Sequence, residues 1–294
     1  MRTDFLIIGA GMAGASLGSR LSDYGAVTVL ERESQPGYHT TGRSAAFFTT
    51  NYGNSIIRRL TEASRPFFEN PPQDFSETAL MSPHGILTIG REDQSLAFAE
   101  SLAAANATQT GVRRINVVEA EEMCPILRNG YCVSAYLECG MYMDVGAIHA
   151  GFLRHITRSG GLTVCGAEVI SIEKKAGLWE VITRAGVHSA PILVNAAGAW
   201  SDEIGVLAGV DRVGLVPKRR TVIIFDVPSQ LIPNKTPMVM DVDEQFYFKP
   251  ELGKILASPA DETPSEPCDA QPEDLDVAIT VDRLEKAMKV EIQH

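Results

Sequence analysis

The chain has 294 residues, 45% hydrophobic and 21% charged, which is ordinary globular composition and enough for about two domains at roughly 150 residues each. Its formal net charge of -11, with no Lys/Arg block, argues against a nucleic-acid or anionic-membrane partner. No apolar run approaches the roughly 18 residues of a membrane span, so no integral membrane segment is predicted and a cytoplasmic location is expected.

Phe5-Leu6-Ile7-Ile8 is an all-apolar run ended by glycine, the pattern of a parallel strand buried on both faces. A helix from about Met12 to Tyr24 and a strand Val27-Thr28-Val29-Leu30 complete a βαβ unit of roughly 30 residues. Between strand and helix stands Gly9-Ala10-Gly11-Met12-Ala13-Gly14, and acidic Glu31 ends the second strand 22 residues after Gly9. In that context the glycines of a G-x-G-x-x-G cradle bring backbone close to a pyrophosphate at a helix N-terminus, and Glu31 accepts from adenosine ribose hydroxyls and repels a 2'-phosphate. Arg2 is the only basic residue before Arg20, so backbone N–H groups carry the phosphate contact.

From Gly37 to Tyr52 the chain is polar and small, and a helix is predicted from Ile56 to Phe68, closed by Pro71-Pro72. Antiparallel strands are predicted at Gly85–Ile89, Ala135–Glu138 and Thr221–Asp226. Between the last two the pattern returns to α/β: a helix from Ala147 to Ser159, then strands Leu162–Cys165, Val169–Glu173, Trp179–Thr183 and Ile192–Asn195. The prediction is an α/β fold with a discontinuous Rossmann-like dinucleotide domain (1–84 and 144–214) and an inserted α+β substrate domain of mixed, largely antiparallel sheet (85–143 and 215–294). The Asp/Glu/Pro-rich stretch Asp261–Asp276 reads as a surface loop. Five cysteines without C-x-x-C spacing predict neither a disulfide framework nor a metal site.

The segment after Glu31 separates the candidate cofactors. A nicotinamide enzyme proceeds to another helix and strand, whereas this chain enters His39-Thr40-Thr41-Gly42-Arg43-Ser44-Ala45-Ala46, suited to a second contact with a long cofactor. A second small-residue turn, Asn195-Ala196-Ala197-Gly198-Ala199-Trp200, again comes after a buried strand. Three such segments favour FAD.

GAGMAG, Glu31, PGYHTTGRSAA, NAAGAWSD, PKRR and FYFKP together resemble the FAD-dependent D-amino-acid oxidase and dehydrogenase family, with the D-arginine dehydrogenase branch nearest. The resemblance implies hydride transfer from the substrate Cα to flavin N5, giving an imino acid that hydrolyses to a 2-oxo acid and ammonia, with an unidentified electron acceptor. Carried over, it puts flavin contacts at Gly9, Gly11, Gly14, Glu31, Arg32, Thr41, Gly42, Arg43, Ser44, Ala45, Val169, Ala197, Gly198 and Trp200. It puts Tyr52, Arg220 and Tyr247 at the substrate, with Glu244 close by. Guanidinium suits bidentate carboxylate binding, and Arg219 and Arg220 point to opposite faces of a strand, so one of them faces the pocket. From the residues alone, a solvated strand-end charge for Arg220 and core packing for the tyrosines stay open.

Phe47 and Ile86 depart from that branch, Phe47 where it bears a histidine and Ile86 where it carries the carboxylate that holds a guanidinium. A buried cation without its partner is costly, so a neutral or apolar D-amino acid is expected. Relatives continue past the point matching His294, and the missing stretch is expected to remove a second carboxylate-binding arginine and a wall of the flavin site. A nucleotide-binding remnant without activity, and an N-methyl amino acid or hydroxy-acid oxidoreductase, are the alternatives.

Overall fold

A computed structural model describes residues 1–107, 111–233 and 235–292. Strand β1 (Phe5–Ile8), helix α1 (Met12–Leu21) and strand β2 (Val27–Leu30) form the expected βαβ start. Strand β3 (Phe47–Phe48), helix α2 (Ser55–Glu69), strand β4 (Met81–Gly90), helix α3 (Ser95–Asn106), strand β5 (Arg113–Ile115), helix α4 (Val117–Met123) and strand β6 (Ser134–Met143) come next. Helix α5 (Val145–Arg158) leads to strands β7 (Leu162–Val164), β8 (Val169–Lys175), β9 (Leu178–Thr183), β10 (Gly186–Ala190) and β11 (Ile192–Asn195), then helix α6 (Ser201–Leu207). The chain continues through β12 (Lys218–Arg219), β13 (Ile223–Asp226), β14 (Met238–Asp241), β15 (Tyr247–Glu251), β16 (Lys254–Ser258), β17 (Thr263–Pro264) and helix α7 (Asp274–Ala287).

Strands β11, β1, β2 and β7 form a parallel sheet in that order, with Phe5 opposite both Ile192 and Val27. Both faces are covered, which is why β1 is apolar throughout. Ile7 packs with Val27, Val29 and Ile156 on the helix side, while Leu6 and Ile8 pack with Ile172 and Val181 of the β8–β9–β10 meander.

The second sheet is mixed and, among the described residues, has eight strands, ordered β13-β16-β15-β14-β4-β6-β3 with β5 also on β6; its one parallel pair there is β14 with β4. Strand alternation gives it two faces. Phe246, Phe248, Leu87 and Ile89 form its back core with Leu284, Ala287 and Met288 at the end of α7, and Tyr247, Met238 and Leu256 face the other way. Phe47–Phe48 and Met81–His84, placed by the expected boundary at residue 84 with the cofactor domain, pair within this mixed sheet.

The acidic stretch differs from a plain surface loop. Thr263 pairs with Arg219 in β17–β12, α7 starts at Asp274, and Asp276 is buried against Arg219 at 2.7 Å. Helix α1 stops at Leu21, short of Tyr24, which is exposed in the turn leading to Gly25.

Candidate functional site

The first cavity, about 520 Å³, opens at the C-terminal ends of β1, β2 and β11. This is where an open parallel sheet binds its ligand. Gly9 (φ +100) lies so close to the second small-residue turn that a methyl group on it would come 2.3 Å from the Ala196 carbonyl oxygen. A methyl group on Gly14 would come 1.9 Å from the Gly9 carbonyl oxygen. Gly11 is different: the nearest atom to such a methyl would be Thr41 Oγ1 at 3.3 Å, and the residue lines the cavity. The Met12 N–H donates to Thr41 Oγ1 at 3.0 Å, and no described side chain caps the remaining first-turn N–H groups of α1.

Glu31 is buried on the cavity wall, where its Oε2 accepts from the Ala10 N–H at 3.0 Å and its Oε1 from the Glu33 N–H at 3.0 Å. Arg32 lies over the Trp200 ring at 4.7 Å, and His39 tilts against the same ring at 4.7 Å while contacting Glu33 at 2.9 Å. Burial and the nearby Glu31 carboxylate push the Cys165 thiol up.

Gly9, Gly11, Glu31, Arg32, Thr41, Val169, Ala197, Gly198 and Trp200 are together on this wall. Gly14 stands behind it, and Ser44 and Ala45 line a second cavity instead. Gly42 and Arg43 are not brought to either wall. The Gly42 N–H closes a turn on the Gly37 carbonyl at 2.7 Å, and Arg43 is held by Asp269 at 2.5 Å and the Ala270 carbonyl at 3.0 Å, stacked on Tyr38. A brace absent from the expectations is His149 on α5, which donates Nε2–H to the Ala10 carbonyl at 2.8 Å. Its spacing after Ile148 and before Phe152 put it on the inward side of an amphipathic helix, a signal available in the sequence.

The second cavity, about 310 Å³, lies on the front face of the mixed sheet, joined to the first by the segment from Gly37 to Ala46. Phe47, Tyr52, Ile86, Arg220, Glu244 and Tyr247, six residues from distant segments, all line it, with Met238 and Met240 between them. Arg219 and Arg220 do diverge: Arg219 turns to Glu273 and Asp276, Arg220 to the cavity. Arg220 donates Nε–H to the Asp261 carbonyl at 3.0 Å and Nη2–H to Glu262 at 3.0 Å, which leaves Nη1 without a hydrogen-bond partner among the described residues. Burial pushes the Tyr247 phenol up, against its hydrogen bond to Ser258 and the Arg220 charge, so it stays protonated. Behind Thr49 the buried Glu138 accepts from Thr49 Oγ1 at 3.1 Å and from Asn51 Nδ2, and burial raises its carboxyl.

The family FAD dependent oxidoreductase (DAO) matches residues 4–290, nearly the whole chain. The chain belongs to this family. Mouse (Mus musculus) mitochondrial dimethylglycine dehydrogenase is 23% identical over 266 residues, covering 88% of this chain and 30% of that protein. Glycerol 3-phosphate dehydrogenase of Caloramator mitchellensis is 23% identical over 248 residues, covering 78% of this chain and 51% of that one. The chain thus spans about 30% of the length of the first of these curated relatives and about half of the second.

Among solved structures, glycine oxidase from Geobacillus kaustophilus superposes with a TM-score of 0.81 at 19% identity, over 98% of this chain and 80% of that one. L-α-glycerophosphate oxidase from Mycoplasma pneumoniae with FAD bound does so with a TM-score of 0.82 at 16% identity, over 98% and 79%. Such identities establish the α/β fold alone. FAD is the cofactor of this family, and the chain fits it: uncapped N–H groups at α1, an open Gly11 and a buried carboxylate at Glu31 are what an adenosine diphosphate requires. No helix among the described residues is long and apolar enough to cross a membrane.

Proposed function

We propose that this chain forms the flavin and substrate sites of an oxidoreductase acting on a neutral, apolar D-amino acid. The observation that carries the reading is Arg220, a cation whose Nη1 has no hydrogen-bond partner among the described residues, on the wall of an otherwise largely apolar cavity next to the cofactor cavity.

Gly9, Gly11, Glu31 and the Ala197–Trp200 turn would hold the cofactor's adenosine diphosphate, with Gly14 packed behind them and Ser44 and Ala45 leading on to the second cavity. Flavin, when bound, would supply the two-electron sink for oxidising the substrate's Cα–N bond, once the ammonium has lost its proton to solvent, to an imino acid that water would hydrolyse to a 2-oxo acid and ammonia. Arg220 binds and orients the substrate carboxylate, Tyr247 donates its phenolic hydrogen beside it, and exposed Glu244 meets the ammonium of the incoming zwitterion. Phe47, Ile86, Met238 and Met240 exclude water around the side chain. The resemblance of the GAGMAG, PGYHTTGRSAA and NAAGAWSD motifs to the D-amino-acid oxidase and dehydrogenase family supports D-stereochemistry, and Phe47 and Ile86 turn the preference from a cationic side chain.

The test is a panel of neutral D-amino acids, their L-enantiomers, D-arginine, N-methylglycines and glycerol 3-phosphate, assayed with the FAD-loaded protein and a dye acceptor. Neutral D-amino acids should be preferred, with one ammonia released per turnover. Arg220→Met should lower kcat/KM by about 2–5 kcal/mol equivalent and leave flavin absorbance unchanged. Preference for N-methylglycines would move the reading to the dimethylglycine dehydrogenase type of chemistry, and no oxidation of any amino acid would sink it.

A further inference from the structure

Gly140 is in β6, in register with His84 of β4 and between Glu138 and Tyr142 on the face that carries the second cavity. A strand position with no side chain on a packed sheet face marks a close approach by something else. Here it is the Phe47 ring. A methyl group on Gly140 would come 2.3 Å from Phe47 Cε1, 2.7 Å from its Cζ and 2.9 Å from Ile86 Cγ1. Carbon atoms in contact prefer about 3.5–4.0 Å. Phe47 and Ile86 both line the cavity, so the missing side chain lets the ring lie down against the sheet.

The ring cannot move sideways to accommodate a side chain. Its edge meets Tyr142 at 5.2 Å and His84 at 6.4 Å, and these two rings stack on each other at 3.8 Å. That block is fixed: His84 donates Nε2–H to the Thr236 carbonyl at 2.6 Å, and the buried Lys249 ammonium, paired with Glu251 at 2.6 Å, covers the Tyr142 ring at 4.6 Å. Ile86, itself 1% exposed, closes the floor. The remaining direction is into the cavity.

We propose that Gly140 sets the depth of the substrate cavity and so determines its specificity: without a side chain there, Phe47 lies flat and a bulky apolar substrate side chain fits. This rests on the second cavity being the substrate site. It adds a residue that acts through Phe47 without touching substrate.

The test compares wild type, Gly140→Ala and Gly140→Ala/Phe47→Ala, each loaded with FAD. Two readouts are taken: kcat/KM for D-leucine against D-alanine, and binding of benzoate against acetate followed by perturbation of flavin absorbance, which needs no turnover. Gly140→Ala should lower the D-leucine to D-alanine ratio about tenfold or more, the scale on which apolar pockets discriminate. It should weaken benzoate far more than acetate, and the double variant should recover benzoate binding. Equal losses for large and small ligands, or no recovery in the double variant, would overturn the proposal. If Gly140→Ala does not fold, the double variant, which removes the clash with Phe47, decides through its benzoate to acetate ratio: a ratio below wild type overturns the proposal. If wild type oxidises no D-amino acid yet the carboxylates still follow size in the expected order, the functional reading fails and the role of Gly140 stands.

Discussion

Glu138 is a carboxylate that the fold keeps behind the substrate cavity with two neutral donors, Thr49 and Asn51, and no ion-pair partner among the described residues. Burial raises its carboxyl above the ordinary 4.5, with the two donors and the Arg58 charge opposing. A raised folded-state value means that the native chain binds this proton more tightly than the unfolded one. The associated stability is fully present below about pH 4.5 and is lost as pH rises through the folded value. Glu138→Gln, which can accept from Asn51 and donate to Thr49, should therefore raise the melting temperature at neutral pH, and the difference should close on acidification. A variant that is destabilised equally at every pH would show that the charge is not the issue. Arg220 obeys the opposite rule, a charge kept where one donor can still be used, and alternation along a strand made its direction readable beside Arg219. Arg43 was not readable: its partner Asp269 is 226 residues away, and no local pattern announces such a contact.

At the scale of elements, the glycines of the cradle separate into structural and functional ones. Gly9 combines a left-handed φ with a methyl-to-carbonyl approach of 2.3 Å, whereas Gly11 has an ordinary φ and a single near atom, the side-chain Oγ1 of Thr41 at 3.3 Å. Gly9→Ala should lower the stability of the apoprotein by at least about 1–3 kcal/mol, the cost of backbone strain alone. Gly11→Ala should leave apoprotein melting within about 0.5 kcal/mol and lower flavin retention. Similar melting of the two variants would remove the distinction. The βαβ start, α2, α5 and the strands of the parallel sheet were legible because each is bounded by glycine, proline or a polar turn and has a single periodicity, whereas β10 of the neighbouring meander was not foreseen. Helix α3 was not, since Ser-Leu-Ala-Phe-Ala-Glu-Ser-Leu-Ala-Ala-Ala-Asn has no clear polar side. Strand β3 is only two residues, stabilised by pairing with Met141 and Tyr142. The parallel pairing of β14 with β4 depends on a register that chain order does not specify. The second cavity was legible in composition and not in shape: Phe47 and Ile86 were visible as departures, but Gly140, which positions them, fell beyond the predicted strand end at Glu138.

Across the whole molecule, the acidic stretch fastens two layers. Asp269 takes Arg43 and Tyr38 from the segment beside the cofactor cavity, while Asp276 and Glu273 take Arg219 from the mixed sheet. The Arg43 guanidinium beside it holds the Asp269 carboxyl below its usual range. Asp269→Ala should free the segment between Ser265 and Gln271, seen as faster backbone amide hydrogen exchange at Cys268–Gln271, read by mass spectrometry; an unchanged rate would show the tether to be slack. Such exposed pairs are screened by salt, so wild-type exchange in this segment should also quicken at high ionic strength. The parallel sheet has a different reach. Its first strand, Phe5–Ile8, lies between β2 and β11, and its register partners Ile192–Asn195 are 187 residues later in the chain. On a translating ribosome working at about 5–20 residues per second, β1 waits roughly 10 to 40 s for that neighbour. Through that interval the glycine cradle lacks the Ala196 turn that presses on Gly9. Flavin capture is therefore a late event in the synthesis of this chain, and a nascent polypeptide must keep an apolar strand edge from wrong partners until then.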